Sequence, residues 1–114
     1  MFRLVSVLLM AGVAALGAYQ GTPPSSSTVV VERGVMIKMR DGVTLSTDIY
    51  RPARNGAALT ERLPVLLQRT PYEIEGRELV RQASYFAEHG YVVALQSIRG
   101  RYKSGGAFMK YDPR

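Results

Sequence analysis

From Val29 onward the chain is β-like, and from Val35 to Tyr50 its side chains alternate. Val35, Ile37 and Met39 take one side of an extended backbone, and Met36, Lys38 and Arg40 take the other. After Asp41-Gly42, a second set (Val43, Leu45, Thr47, Ile49) alternates with Thr44, Ser46, Asp48 and Tyr50. A period of two is the signature of a strand with distinct faces. Asp-Gly between two such runs predicts a two-residue hairpin turn. Pro52 is expected to end the second strand, and residues 53–62 read as a polar loop. The pattern then changes. Residues 63–68 are almost continuously apolar, which predicts a strand buried on both faces in a parallel sheet. From Glu78 to His89 the spacing turns helical, with Leu79, Ala83, Phe86 and Ala87 on one face and Gly90 placed to end the helix. Residues 91–95 form another apolar strand. Strand, helix and strand within about thirty residues make a βαβ unit. The organisation is therefore α/β, an antiparallel hairpin followed by a βαβ unit. Residues 97–114 are Gly-rich and aromatic, without regular period.

The first residues follow a different rule. Met1-Phe2-Arg3 is a short basic start, Leu4 to Leu16 is apolar, and Gly17-Ala18 supplies small residues. That order predicts an export signal over residues 1–18, with cleavage after Ala18. The apolar run is shorter than the roughly 20 residues a membrane-spanning helix needs, so no stable membrane anchor is expected. Residues 19–28 read as a flexible Pro/Ser-rich lead-in. Residues 29–114 form the folded part, and the location is expected to be periplasmic or secreted. Composition narrows the chemistry. The absence of cysteine excludes a disulfide framework and a cysteine nucleophile, and a single histidine leaves little room for a zinc site, so no metal is expected. The net charge of +6 comes from basic residues scattered among acids, without a run of five like charges. A solvated, mildly basic surface is expected, with no nucleic-acid partner.

The string Met39-Arg40-Asp41-Gly42-Val43, with Leu45 and Asp48-Ile49-Tyr50-Arg51-Pro52, resembles the opening of one hydrolase family. It is the group of X-Pro dipeptidyl peptidases, cocaine esterase and α-amino acid ester hydrolases. The likeness continues through residues 63–67, Arg69-Thr70-Pro71-Tyr72 and Gly90-Tyr91-Val92-Val93. It runs on to Gln96, Arg99-Gly100-Arg101-Tyr102, Ser104, Gly106 and Phe108. The resemblance implies the N-terminal part of an α/β-hydrolase fold. It implies an exported serine hydrolase acting on a small-molecule ester, amide or short peptide, with no cofactor. In such folds the loop between the third strand and the first helix supplies part of the oxyanion hole. Tyr72 matches the tyrosine whose hydroxyl joins a backbone N–H there, and is the one catalytic candidate. The family's Ser, Asp and His are expected beyond Arg114, so the 114-residue chain reads as a fragment that is inactive alone. Where the family usually carries an acidic residue two positions before Arg-Gly, this chain has Ser97.

Other residues have plainer readings. His89, at a helix end, reads as a cap. Asp41 reads as a turn residue, and Ser104 with Gly105 and Gly106 as a loop without phosphate-cradle spacing. Glu73, Glu75 and Glu78 read as exposed charge at a helix entry. A rival class stays open from the residues alone: a non-catalytic exported β-rich binding module, or an inactive remnant, on the same scaffold. The apolar strand at 63–68 would expose a long edge in the isolated fragment, so residues 19–114 are expected to be poorly soluble or partly unfolded.

Overall fold

The computed structural model describes residues 28–110. The expected export signal and residues 19–27 of the lead-in lie outside the described residues. Thr28, which the sequence groups with the lead-in, instead opens the first strand.

Strands β1 (Thr28–Lys38) and β2 (Thr44–Arg54) pair antiparallel, from Thr28 opposite Ala53 to Lys38 opposite Thr44. The hairpin between them is one residue longer than predicted. Met39 N–H donates to the Val43 carbonyl at 2.7 Å and Gly42 N–H to the Met39 carbonyl at 3.0 Å. The loop is therefore Arg40-Asp41-Gly42, and only Gly42 takes a positive φ, 88°. A two-residue type I′ turn would need Asp41 there too. A glycine in third position lets the chain turn without that cost.

Pro52 does not end β2, which runs on to Arg54 and pairs with β3 (Ala57–Ala58). The proline is tolerated because of where it falls. Pairing of β2 with the next central strand stops at Tyr50, and the Pro52 carbonyl still accepts the Leu59 N–H at 2.8 Å. The turn between β2 and β3 is Asn55-Gly56, both with positive φ (53° and 77°). That is the type I′ pair, and it interrupts what reads as a plain polar loop.

Strand β4 (Val65–Thr70), helix α1 (Arg77–Glu88) and strand β5 (Val92–Ser97) form the βαβ unit, with β4 and β5 parallel. β5 also pairs antiparallel with β2, so the sheet order is β1-β2-β5-β4. The amphipathic helix lays Ala83 and Ala87 on Tyr50, Val93 and Leu95, with Ile74 completing the core. Small alanines let the helix approach closely, and the large Tyr50 ring fills the space. His89 follows the last turn and Gly90 ends it.

The expectation that the strand at 63–68 is buried on both faces is not met among the described residues. Val65 is 62% and Leu67 55% exposed. The reason is position: β4 has only β5 beside it, and α1 packs on β5, β2 and β1 without reaching β4. An open apolar groove separates Leu66 and Leu67 from Ala83 and Phe86. Each large apolar side chain left in water forgoes roughly 1.5–3 kcal/mol of burial free energy.

Candidate active site

In a βαβ unit the loops leaving both parallel strands meet at one end of the sheet. Here the segment after β4 (residues 71–76) and the segment after β5 (residues 98–110) come together at the C-terminal edge. The β1–β2 hairpin loop joins them, because β2 begins where β5 finishes. Open α/β sheets bind ligands at this edge.

Three hydrogen bonds hold the stretch that carries Tyr72. Thr70 offers its carbonyl to Ile98 N–H (3.1 Å), so the parallel ladder extends one step past β5. The Pro71 carbonyl accepts Arg101 Nε–H at 3.1 Å. Tyr72 N–H donates to Thr70 Oγ1 at 3.0 Å, a hydroxyl closing a turn on a nearby backbone amide. Pro71 restricts φ between them. The backbone is pinned while the Tyr72 side chain is 73% exposed, and its hydroxyl has no partner among the described residues. An available phenol O–H on a fixed backbone can donate to an oxygen that gains negative charge.

The post-β5 loop is itself folded onto β2. Ser104 Oγ donates to the Ser97 carbonyl at 2.8 Å and accepts Ser46 N–H at 2.9 Å, and Gly105 N–H donates to the Thr44 carbonyl. Ser104 is therefore a buried latch between loop and strand, a role its loop-like surroundings do not reveal. Arg101 lies between the Tyr102 and Phe108 rings, 5.5 and 5.1 Å from their centroids, while holding Pro71. It joins the two loops, and nothing in the sequence marks it beyond its place in the Arg-Gly-Arg string. Gly100 has φ 69°, and a Cβ there would sit against the backbone of Ala107 and Phe108. The close return of the loop requires glycine at that point.

Asp41 closes its own turn by accepting Val43 N–H at 3.3 Å, and also receives Arg99 Nη1–H at 2.7 Å. The Arg99 hydrogen bond, with Val43 N–H second, holds the Asp41 carboxyl below its ordinary value. His89 lies at the other end of the sheet, because α1 leads from the C-terminal edge of β4 back to the start of β5. Its Nδ1 is 2.7 Å from the Tyr85 carbonyl. Glu73, Glu75 and Glu78 are all exposed; Glu75 pairs with Lys103, and Glu78 with Arg81 and Gln82. Tyr72, Asp41 and Ser104 thus share one edge, and His89 does not join them.

A small pocket under the two loops is lined by Ser46, Asp48, Ile74 and Ser97. Asp48 is 2% exposed. It accepts Arg33 Nη1–H (3.0 Å) and Gly34 N–H (2.9 Å), both at the bulge of β1. Among the described residues Ser97 Oγ and Tyr50 Oη are buried without a hydrogen-bond partner, and burial pushes the Tyr50 phenol above its ordinary value. Among the described residues no group of three or more His, Cys, Asp or Glu side chains is placed to hold a metal ion. No described helix is long and apolar enough to cross a membrane.

Comparison with known proteins agrees with the fold. A family model described as X-Pro dipeptidyl-peptidase (S15 family) matches residues 41–114. Cocaine esterase from Rhodococcus sp. (strain MB1 Bresler) is 38% identical over 85 residues, covering 71% of this chain and 14% of the esterase. A solved α-amino acid ester hydrolase superposes with a TM-score of 0.57 and 31% identity, over 84% of this chain and 17% of its own. An aminopeptidase from a marine sediment archaeon, Thaumarchaeota archaeon, gives 0.57 and 29%, over 79% of this chain and 16% of its own. The chain thus spans about one sixth of the length of these proteins.

Proposed function

Because the chain belongs to the X-Pro dipeptidyl-peptidase (S15) family of hydrolases, we propose that it forms the opening segment of an exported serine hydrolase of ester or amide bonds. The observation that carries this is the Tyr72 phenol, exposed and without a partner among the described residues at the C-terminal edge of two parallel strands, on a backbone pinned by Thr70, Ile98 and Arg101.

In this reading a serine beyond Arg114 attacks the carbonyl carbon of the substrate, and a histidine accepts its proton. The carbonyl oxygen becomes an oxyanion, toward which Tyr72 O–H donates alongside one backbone N–H. Collapse of the tetrahedral intermediate breaks the bond to the leaving oxygen or nitrogen, which takes the proton from the histidine and departs as the alcohol or amine; the acyl-enzyme left behind is hydrolysed by water through the same steps. Tyr72 serves both halves of the cycle, since an oxyanion forms in each. It stabilises charge by a hydrogen bond that strengthens as the charge grows.

The test is a fluorophosphonate probe, which reacts with activated serines, applied to the hydrolase that contains this segment. Stoichiometric labelling of one serine, with parallel loss of 4-nitrophenyl acetate hydrolysis, is expected. Hydrolysis that survives complete exposure to the probe would overturn the serine mechanism. The 114-residue chain alone is expected neither to label nor to hydrolyse the ester.

A further inference from the structure

Basic residues that are far apart in the sequence meet in the fold. Lys38 and Arg40 at the β1–β2 hairpin, Arg69 near the end of β4 and Arg99 just past β5 line one open basin of about 580 Å³, with Asp41 as its single carboxylate. The basin lies at the C-terminal edge of the sheet, where Tyr72 also emerges.

Two of the four cations are fixed in place. Arg69 Nε–H donates to Gln96 Oε1 at 2.8 Å, and Gln96 Nε2 donates to Thr47 Oγ1 at 2.9 Å. Gln96 and Thr47 are buried, so the Arg69 guanidinium is tethered through one nitrogen to a rigid polar row across three strands. Arg99 is tethered through Nη1 to Asp41. Each tether leaves the guanidinium's remaining N–H groups free of protein partners among the described residues. Lys38 and Arg40 have no such partner among the described residues. Elsewhere, Arg51 pairs with Glu32, Arg81 with Glu78 and Lys103 with Glu75. In the basin one carboxylate faces four cations. Asp41 is already engaged by Arg99, which leaves an excess of positive charge in a concave site.

We propose that this basin is an anion-binding site for a small molecule carrying an oxyanion, a carboxylate or a phosphate. Tethered guanidinium groups suit that chemistry, because a planar fork matches two oxygens of one anion and little side-chain freedom is lost on binding. A single basin, rather than a stripe of cations along the surface, fits a compact ligand and not a polymer backbone. The site does not depend on the hydrolase reading, since it uses neither Tyr72 nor a nucleophile.

The test is isothermal titration of the intact protein that contains this segment with sodium phosphate and, separately, sodium acetate, against sodium chloride of matched ionic strength. Saturable binding of phosphate or acetate, absent with chloride, is expected, and the anion that binds more tightly identifies the oxyanion. Arg40→Gln removes an exposed side chain with no partner among the described residues, so it leaves the fold intact and is expected to weaken binding about threefold, as for one exposed ion pair. Arg69→Gln is expected to abolish saturation. Arg54→Gln, at the far end of β2, should leave binding unchanged. The proposal is overturned if neither anion exceeds the chloride response, or if Arg54→Gln weakens binding as much as Arg40→Gln.

Discussion

Asp48 shows how one side chain can decide a local structure. Its carboxylate accepts both the Arg33 guanidinium and Gly34 N–H, and so fixes the bulge where β1 shifts register between Glu32 and Val35. Asp48→Ala would strand the Gly34 amide and the Arg33 charge. Arg33 and Gly34 are both exposed and can turn to water, so the expected loss is about 0.5–1.5 kcal/mol, the net worth of an ordinary hydrogen bond. Urea unfolding of the two proteins checks it. Both faces of β2 are covered: Leu45 and Thr47 are buried on one side, Asp48 and Tyr50 on the other, and α1 packs on the side of Tyr50. The turn that carries Tyr72 was legible because Thr-Pro-Tyr between an apolar strand and an amphipathic helix is a local feature, whereas the role proposed for its hydroxyl comes from the family resemblance. Arg101 and Ser104 were not legible, because each acts on a partner at least seven residues away, a relation created only by the fold.

At the scale of elements, turn chemistry separates what was legible from what was missed. Asp41-Gly42 correctly marked the hairpin, although the turn takes three residues. Asn55-Gly56 carried an equally clear signal, hidden by the polar residues around it and by Pro52. Because Asn55 has φ 53°, Asn55→Val is expected to cost about 1–3 kcal/mol, and Asn55→Gly little. Thermal unfolding of both variants checks the contrast. Gly100 is a stricter case. Gly100→Ala adds a methyl against the Ala107 and Phe108 backbone at a positive φ, so the post-β5 loop must shift. Overpacking of this kind typically costs about 1–3 kcal/mol. Limited proteolysis should show faster cleavage within residues 98–108 than in the parent chain, while β1 and β2 keep their protection. The boundaries of α1 were legible within a residue, because Gly90 and the 3.6-residue period agree.

At the scale of the molecule, the described residues leave one strand of the sheet with an open side. The continuous apolar run of β4 reads as a strand with neighbours on both sides, yet here it has one neighbour and an uncovered face. Sequence pattern reports the environment a strand is suited to, and the exposed Val65, Leu66 and Leu67 are consistent with a segment that spans about one sixth of its relatives. A flat apolar edge invites pairing between copies. Val65→Lys places a charge on the most exposed of these positions, four residues from Arg69. It is expected to lower self-association of the chain, as measured by light scattering at fixed concentration; unchanged scattering would place the sticky surface elsewhere.

The central claim is that Tyr72 stabilises an oxyanion, and it is tested by the steady-state kinetics of Tyr72→Phe in the hydrolase that contains this segment. The substitution removes one oxygen and leaves the ring and the pinned backbone. A fall in kcat of about 10²-fold with KM little changed is expected, since the lost hydrogen bond acts in the transition state. An unchanged kcat would contradict the assignment and leave Tyr72 as an exposed loop residue.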